Sequence, residues 1–202
     1  HEDVFIRHVE IQNLADQERE IRLFFYQDFH IAESLIGDTA YYRPKEGLLI
    51  HYKANRYLAV NVCTEEGCGP HQYATGIKEG IRYQGTWRDA EDGRLEGNPI
   101  AQGAVDSTLA VHVKVAAGET QDLYYWICVG ESYQEVLTLN RIVLDKTPQE
   151  LLTRTGNYWR LWADKEEDDY GEFPASLVEL CKRSLMILRS QVDQNGAIMA
   201  AT

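Results

Sequence analysis

Asp28, Glu33 and Asp38 lie close together around what reads as a strand end, with His30 among them. Paired carboxyls are the equipment of glycoside hydrolysis, which holds two of them at a set separation across a pocket. Nearness in sequence does not supply that separation, so the trio stands as a catalytic candidate beside the plainer reading of a polar loop at a sheet edge. Cys63, Cys68 and His71 make a loose metal-type cluster. A structural zinc site needs closer cysteine spacing and a fourth ligand, so thiols in a Gly-rich loop are expected, with no metal and no cofactor. Cys128 and Cys181 read as small apolar residues on a strand and a helix face. The four cysteines do not form a disulfide framework by this reading. That suits a reducing compartment and favours a cytoplasmic location, although export cannot be judged from the sequence. No phosphate-binding glycine loop follows a strand and no Gly-x-Ser-x-Gly elbow occurs. His8, His51 and His112 fall on polar strand faces, where exposure is expected.

The segment from Gly85 to Gly103 is the strongest functional signal. It separates two strand-like regions, exceeds a hairpin turn in length, and mixes Trp87 and Arg88 with Asp89, Asn98 and Gln102. Ordered connections of that length are uncommon and tend to be functional. Its composition suits contact with a polar surface or a sugar. The aromatics Tyr41, Tyr42, Tyr73, Tyr83 and Trp87 could stack on sugar rings, against the alternative that they are core.

These residues need a scaffold. The chain is 44% hydrophobic and 26% charged, enough for an ordinary core, and its formal net charge of -12 repels phosphate backbones. Nucleic acid is not expected as a partner, and no apolar run is long enough to span a membrane as a helix. Val105 to Val115 alternates as a half-buried strand, and Leu123 to Val129 is apolar on both faces, as in the middle of a sandwich. Phe5, Val9 and Ile11 pair naturally with Ile21 to Phe29 across the polar stretch Asn13 to Glu18. Leu48 to Tyr52 and Tyr57 to Cys63 form a second hairpin. After Gly130 the period becomes helical. Ser132 with Glu135 predicts a helix to about Leu144, Thr147-Pro148 opens a second, and Pro174 opens a third that ends near Asn195. The acidic run from Asp164 to Glu172 reads as a solvated linker.

Taken together, Asp28-Phe29-His30-Ile31, Gly37 to Tyr42, His51-Tyr52-Lys53, Gln72 to Gly76 and the Gly85 to Gly103 segment resemble the N-terminal β-sandwich of glucoamylase-like enzymes of glycoside hydrolase family 15. Tyr158 to Trp162 resembles that family's connector, and Arg183-Ser184-Leu185 through Ala201 its first barrel helix. The resemblance implies a mainly β fold: an antiparallel β-sandwich of the galactose-mutarotase-like supersandwich type, incomplete at its N-terminus, then a helical linker and the first helix of an (α/α)6 barrel. Domains are expected at 1–130, 131–173 and 174–202. The implied parent activity is hydrolysis of α-glucosidic bonds with inversion. The catalytic glutamates would lie beyond this chain, so no catalytic residue is assigned to it.

Three readings follow. The chain is a non-catalytic scaffold whose partner is its own (α/α)6 domain, with an α-glucan or oligosaccharide as the parent's substrate; or a carbohydrate-binding sandwich using aromatic loops; or a hydrolase using Asp28, Glu33 and Asp38. The first is favoured, because the helices carry apolar residues that a sandwich alone cannot bury. Asp38, Tyr41, Trp87, Arg88, Asp89, Asn98 and Gln102 are the candidate interdomain or sugar contacts.

Overall fold

The computed structural model describes residues 2–32, 34, 36–78, 85–164, 171–192 and 196–198. Its contacts divide it into two compact units, His1–Gln149 and Glu150–Thr202. The first holds ten strands: β1 (Val4–Gln12), β2 (Arg19–Gln27), β3 (Asp38–Arg43), β4 (Leu48–Lys53), β5 (Arg56–Thr64), β6 (Gly67–Cys68), β7 (Gln72–Ile77), β8 (Ile100–Gly103), β9 (Val105–Val115) and β10 (Thr120–Gly130). All pairings are antiparallel. One seven-stranded sheet runs β1-β10-β5-β4-β3-β8, with β6 beside β5, and a three-stranded sheet runs β2-β9-β7. Among the described residues the fold is mainly antiparallel β with four α-helices.

The two sheets face each other across one apolar core. Leu49, Val60, Val62, Leu123 and Tyr125 from the larger sheet meet Leu109, Val111, Val113 and Val115 from β9. Alternation put these residues on one face, as expected from a period of two. The expected β1–β2 hairpin does not form. Val9 stands opposite Leu123 on β10, and Leu23 opposite Val111 on β9, so the chain crosses from one sheet to the other between β1 and β2. The same happens between β9 and β10. Asn13 fastens the two crossings together. Its side-chain nitrogen donates to the carbonyls of Gln17, Val115 and Ala116, and Gly118 N donates to its carbonyl. The hairpin of β4 and β5 forms as expected, with Tyr52 opposite Tyr57.

Helix α1 (Thr86–Asp89) lies in the long connection before β8. Helix α2 (Tyr133–Lys146) explains why β10 is apolar on both faces. Its second face meets this helix rather than another sheet. Trp126, fully buried, donates through Nε1 to Asn140 Oδ1 at 3.0 Å, and Asn61 Nδ2 donates to the same oxygen at 3.1 Å. Val136, Leu139 and Val143 of α2 are buried around this contact. Ser132 caps the helix by accepting from Glu135 N at 3.2 Å, while Glu135 Oε2 accepts from Glu131 N at 2.7 Å, one residue before the cap.

Two expectations about cysteine and histidine fail. Cys63 and Cys68 stand directly opposite each other on β5 and β6 and form a disulfide, while Cys128 and Cys181 are free. The expectation of a reducing compartment thereby loses its footing. His51 is not exposed on a polar face but buried, 1% exposed. Its Nε2 lies 2.7 Å from Ser107 Oγ, Ser107 Oγ donates to Gln27 Oε1 at 2.9 Å, and Gln27 Nε2 donates to Tyr125 OH at 3.3 Å. This chain of bonds crosses the core from sheet to sheet. Each group is satisfied by another, which is the condition for polar groups to be buried there.

The second unit contains most of α3 (Pro148–Ala163) and α4 (Ala175–Ser190). Pro148 takes the first helical position as expected. The third predicted helix ends at Ser190, earlier than Asn195, which lies outside the described residues, as do residues 165–170 of the acidic run. No residue of α4 is buried.

Burial pushes the His51 imidazole down to about 4. The unfolded chain takes up a proton near the ordinary imidazole value of about 6.5, and the folded chain refuses it until about 4. Stability is therefore whole above about pH 6.5 and falls as pH drops through that window, with about 2 kcal/mol lost by pH 5 from this group. Urea unfolding of the wild type and of His51→Asn at pH 7.5 and pH 5 checks this. The variant loses less stability on acidification by that amount; equal losses would remove His51 as the cause.

Candidate functional site

The connection from Gly85 to Pro99 lies as a strap across the outer face of the three-stranded sheet. Its entry is built around Asp106, at the start of β9 and fully buried. The Thr86 backbone amide donates to both Asp106 oxygens, at 3.0 and 3.2 Å, and Tyr26 OH donates to Oδ2 at 3.1 Å. Thr86 Oγ1 lies 2.9 Å from Thr108 Oγ1. Burial raises the Asp106 carboxyl above its ordinary range while these donors pull it back, and burial beside Asp106 raises the Tyr26 phenol. Gly85 has φ +84°, and a Cβ there would stand 2.5 Å from Asp106 Oδ2. Only glycine lets the strap begin this close to the carboxylate.

From there the strap runs through α1 and a 3-10 turn at Ala90–Asp92, which Gly93 closes at φ +82°. Arg22 Nη1 donates to Gly93 O at 3.0 Å, and Leu95 N donates to Gln72 Oε1 at 2.8 Å. Asp89 Oδ2 accepts from Glu96 N at 2.7 Å, folding the strap on itself. Asn98 then bonds along β7: Thr75 N donates to its carbonyl at 3.0 Å, and its Nδ2 donates to Thr75 O at 2.7 Å. After Pro99 the chain joins the larger sheet as β8, beside β3.

Between strap, β7 and β8 lies an open cleft of about 780 Å³. Four of the sequence-derived candidates line it: Arg88, Asp89, Asn98 and Gln102. Trp87 is 47% exposed outside the lining, with the Arg88 guanidinium 5.3 Å from its ring centroid. Asp38 and Tyr41 stand elsewhere. Asp38 is buried, with its Oδ1 3.0 Å from the Lys53 ammonium. Tyr41 packs edge-on against Tyr52, and burial pushes its phenol up to about 12. Of the other aromatics, Tyr42 stacks on Tyr73 within the core, and Tyr83 lies outside the described residues.

The carboxylate trio is not assembled as a pair across a pocket. Asp28 contacts Lys78 and His30, Asp38 contacts Lys53, and Glu33 lies outside the described residues. The cysteine cluster cannot serve as two thiolate ligands, since Cys63 and Cys68 are bonded to each other. Among the described residues no group of three or more His, Cys, Asp and Glu side chains is placed to hold a metal. The groups that sequence reasoning missed are Asp106, Thr86, Tyr26, Arg22 and Gln72. Their one legible trace is Asp106-Ser107-Thr108, three consecutive polar residues near the start of the strand Val105–Val115.

No family model matches the chain. An uncharacterized glycosyl hydrolase of Methanocaldococcus jannaschii is 23% identical over 209 residues, which cover 98% of this chain and 32% of that protein. A bacterial glucoamylase, solved in complex with acarbose, aligns at a TM-score of 0.61 and 16% identity over 84% of this chain and 24% of its own. The chain thus spans about a third of the curated relative's length and about a quarter of the solved enzyme. The structural likeness is one of fold: antiparallel sheets with attached helices.

Gly85→Ala should destabilise the first unit by about 3 kcal/mol, from the positive φ and the clash with Asp106 together. Urea denaturation followed by tryptophan fluorescence measures this. A change within about 0.5 kcal/mol of zero would mean that the strap start is not held as described.

Proposed function

We propose that this chain is the non-catalytic sandwich and linker part of a glucoamylase-like glycoside hydrolase, and that its partner is a helical catalytic domain of the same protein. One observation carries the reading. Helix α4 exposes Leu180, Ile187 and Leu188 at 59%, 64% and 64%, and buries nothing. An amphipathic helix is stable when its apolar stripe has a cover, and a stripe left open marks an interface. Further helices of an (α/α)6 domain are that cover in this reading. The similarity of nearly the whole chain to part of a glycosyl hydrolase supports it.

The proposed reaction is hydrolysis of α-glucosidic bonds with inversion, in the family 15 manner. One carboxyl protonates the leaving oxygen and a second, roughly 6.5–9.5 Å from the first, activates a water held between them. Neither is assigned to this chain, whose clustered carboxylates Asp28 and Asp38 already face lysines. In this reading the strap residues Arg88, Asp89 and Asn98, with Gln102 of β8, line a cleft that braces the catalytic domain rather than reacting with substrate. Domain boundaries at 130 and 173 and a supersandwich ancestry belong to the same proposal.

The second reading, a carbohydrate-binding module, has its own observation. Trp87 is half-exposed beside an open, polar cleft, a composition that suits stacking on a sugar ring. Titration with maltohexaose separates the two: the scaffold reading expects no binding heat at millimolar sugar, while binding abolished by Trp87→Ala would favour the module.

The scaffold reading makes a sharper demand on α4. Leu180→Glu with Leu188→Glu should leave the isolated chain folded, since both sites are exposed there. In the whole protein the same pair should cost about 3 kcal/mol or more, because charges would be buried without partners. Thermal unfolding of both forms is the measurement, and equal tolerance in the whole protein would sink the proposal.

A further inference from the structure

We propose that His112, acting through Gln72, is an acid-sensitive latch holding the middle of the strap to the three-stranded sheet. The argument begins with two backbone amides, which can only donate. Leu95 N–H points at the Gln72 side chain, so the atom it meets at 2.8 Å is the amide oxygen. The other end of the same amide, its NH2, then faces His112 Nε2 at 3.1 Å. That imidazole nitrogen must carry a lone pair, which fixes His112 as the Nδ1–H tautomer. Likewise the His112 backbone N–H donates to His71 Nδ1 at 3.2 Å, so that nitrogen is bare as well. The two rings stack at 5.4 Å with 12° between planes. The strap contact through Gln72 is closed only while His112 is neutral.

Protonation at His112 Nε2 sets two donors face to face. The Gln72 amide relieves this by turning over, which presents its oxygen to the imidazolium. The same turn takes that oxygen away from Leu95, whose amide loses its acceptor. One proton therefore unties the strap at Leu95, between the Arg22–Gly93 bond on one side and the Gly97 N–Tyr73 O bond of 3.0 Å on the other.

The surroundings decide where this happens. Arg22 stands opposite His112 on β2, and burial, Arg22 and His71 all disfavour the charged ring, while Glu20 favours it. Lys114 lies along β9 and Glu20 couples to it, and on the strap Arg94 and Glu96 flank Leu95 in exposed positions. His112 is held below the ordinary imidazole range, so the latch is closed at neutral pH and opens under acid conditions. The anchor at Asp106 is a separate titration, reported by a different amide, that of Thr86.

Nuclear magnetic resonance of the 15N-labelled protein between pH 8 and pH 5 tests the latch. Long-range proton–nitrogen correlation reads the tautomer, and hydrogen exchange reads the protection of Leu95 and Thr86. The expected result is an Nδ1–H tautomer for His112 at pH 8 and a loss of Leu95 protection of about tenfold with the same midpoint as the His112 titration, Thr86 being unaffected. In His112→Gln, Leu95 protection should no longer follow that midpoint. An Nε2–H tautomer at pH 8, or Leu95 protection that ignores the His112 titration, would overturn the proposal. The wild-type tautomer and midpoints decide the matter even where the variant does not fold.

Discussion

The first half of β9 must be buried on both of its faces, and the rest of the first unit is arranged around that requirement. Val105, Leu109, Val111 and Val113 face the larger sheet and supply the apolar core. Asp106, Thr108 and Ala110 point the other way and are equally buried, although that side belongs to a sheet only three strands wide. A carboxylate and a hydroxyl can be taken out of water only where donors and acceptors replace it. The strap supplies them. Its Thr86 amide, its Thr86 hydroxyl and the phenol of Tyr26 surround the two polar groups, so the strap is the second wall of β9 and not a loose connection.

That construction gives the strap its character. It is fastened at Asp106, Arg22, Gln72 and the β7 edge, and the cleft beside it is consequently defined by fixed groups. Arg88 and Gln102 line that cleft. The larger sheet solves a similar problem differently. Its outer face is roofed by α2, where Asn140 and Val143 cover Trp126 and Asn61, so both sheets have an inner and an outer cover.

Inside the sandwich, the polar line from His51 through Ser107 and Gln27 to Tyr125 joins β4, β9, β2 and β10. An apolar core fixes which faces meet but tolerates sliding, whereas directional bonds fix position along the strands. The buried His51, whose imidazole is held by burial well below its ordinary range, is therefore also part of what aligns the two sheets. His71 and His112, which face the strap, sit on the opposite side of the small sheet, His71 exposed and His112 half-buried.

Period and turn chemistry let the sequence determine much on its own. The alternation in Val105 to Val115 gave the core face, the β4–β5 hairpin followed from its short connection, and Ser132 and Pro148 marked the helix starts within a residue. The long connection was visible as an ordered segment, and four of the residues singled out in it, Arg88, Asp89, Asn98 and Gln102, line one cleft. What the sequence could not give was which strand pairs with which. The stretch from Asn13 to Glu18 reads like a hairpin turn, yet it carries the chain from one sheet to the other, because the choice rests on Asn13 bonding to Val115 and Ala116, far away in the chain. The covered face of Asp106 and Thr108, the burial of His51 and the Cys63–Cys68 bond were hidden for the same reason. Period tells which residues share a face; only the tertiary structure decides whether that face meets water, a helix or a strap, since burial is a property of what folds over a residue and not of the residue itself.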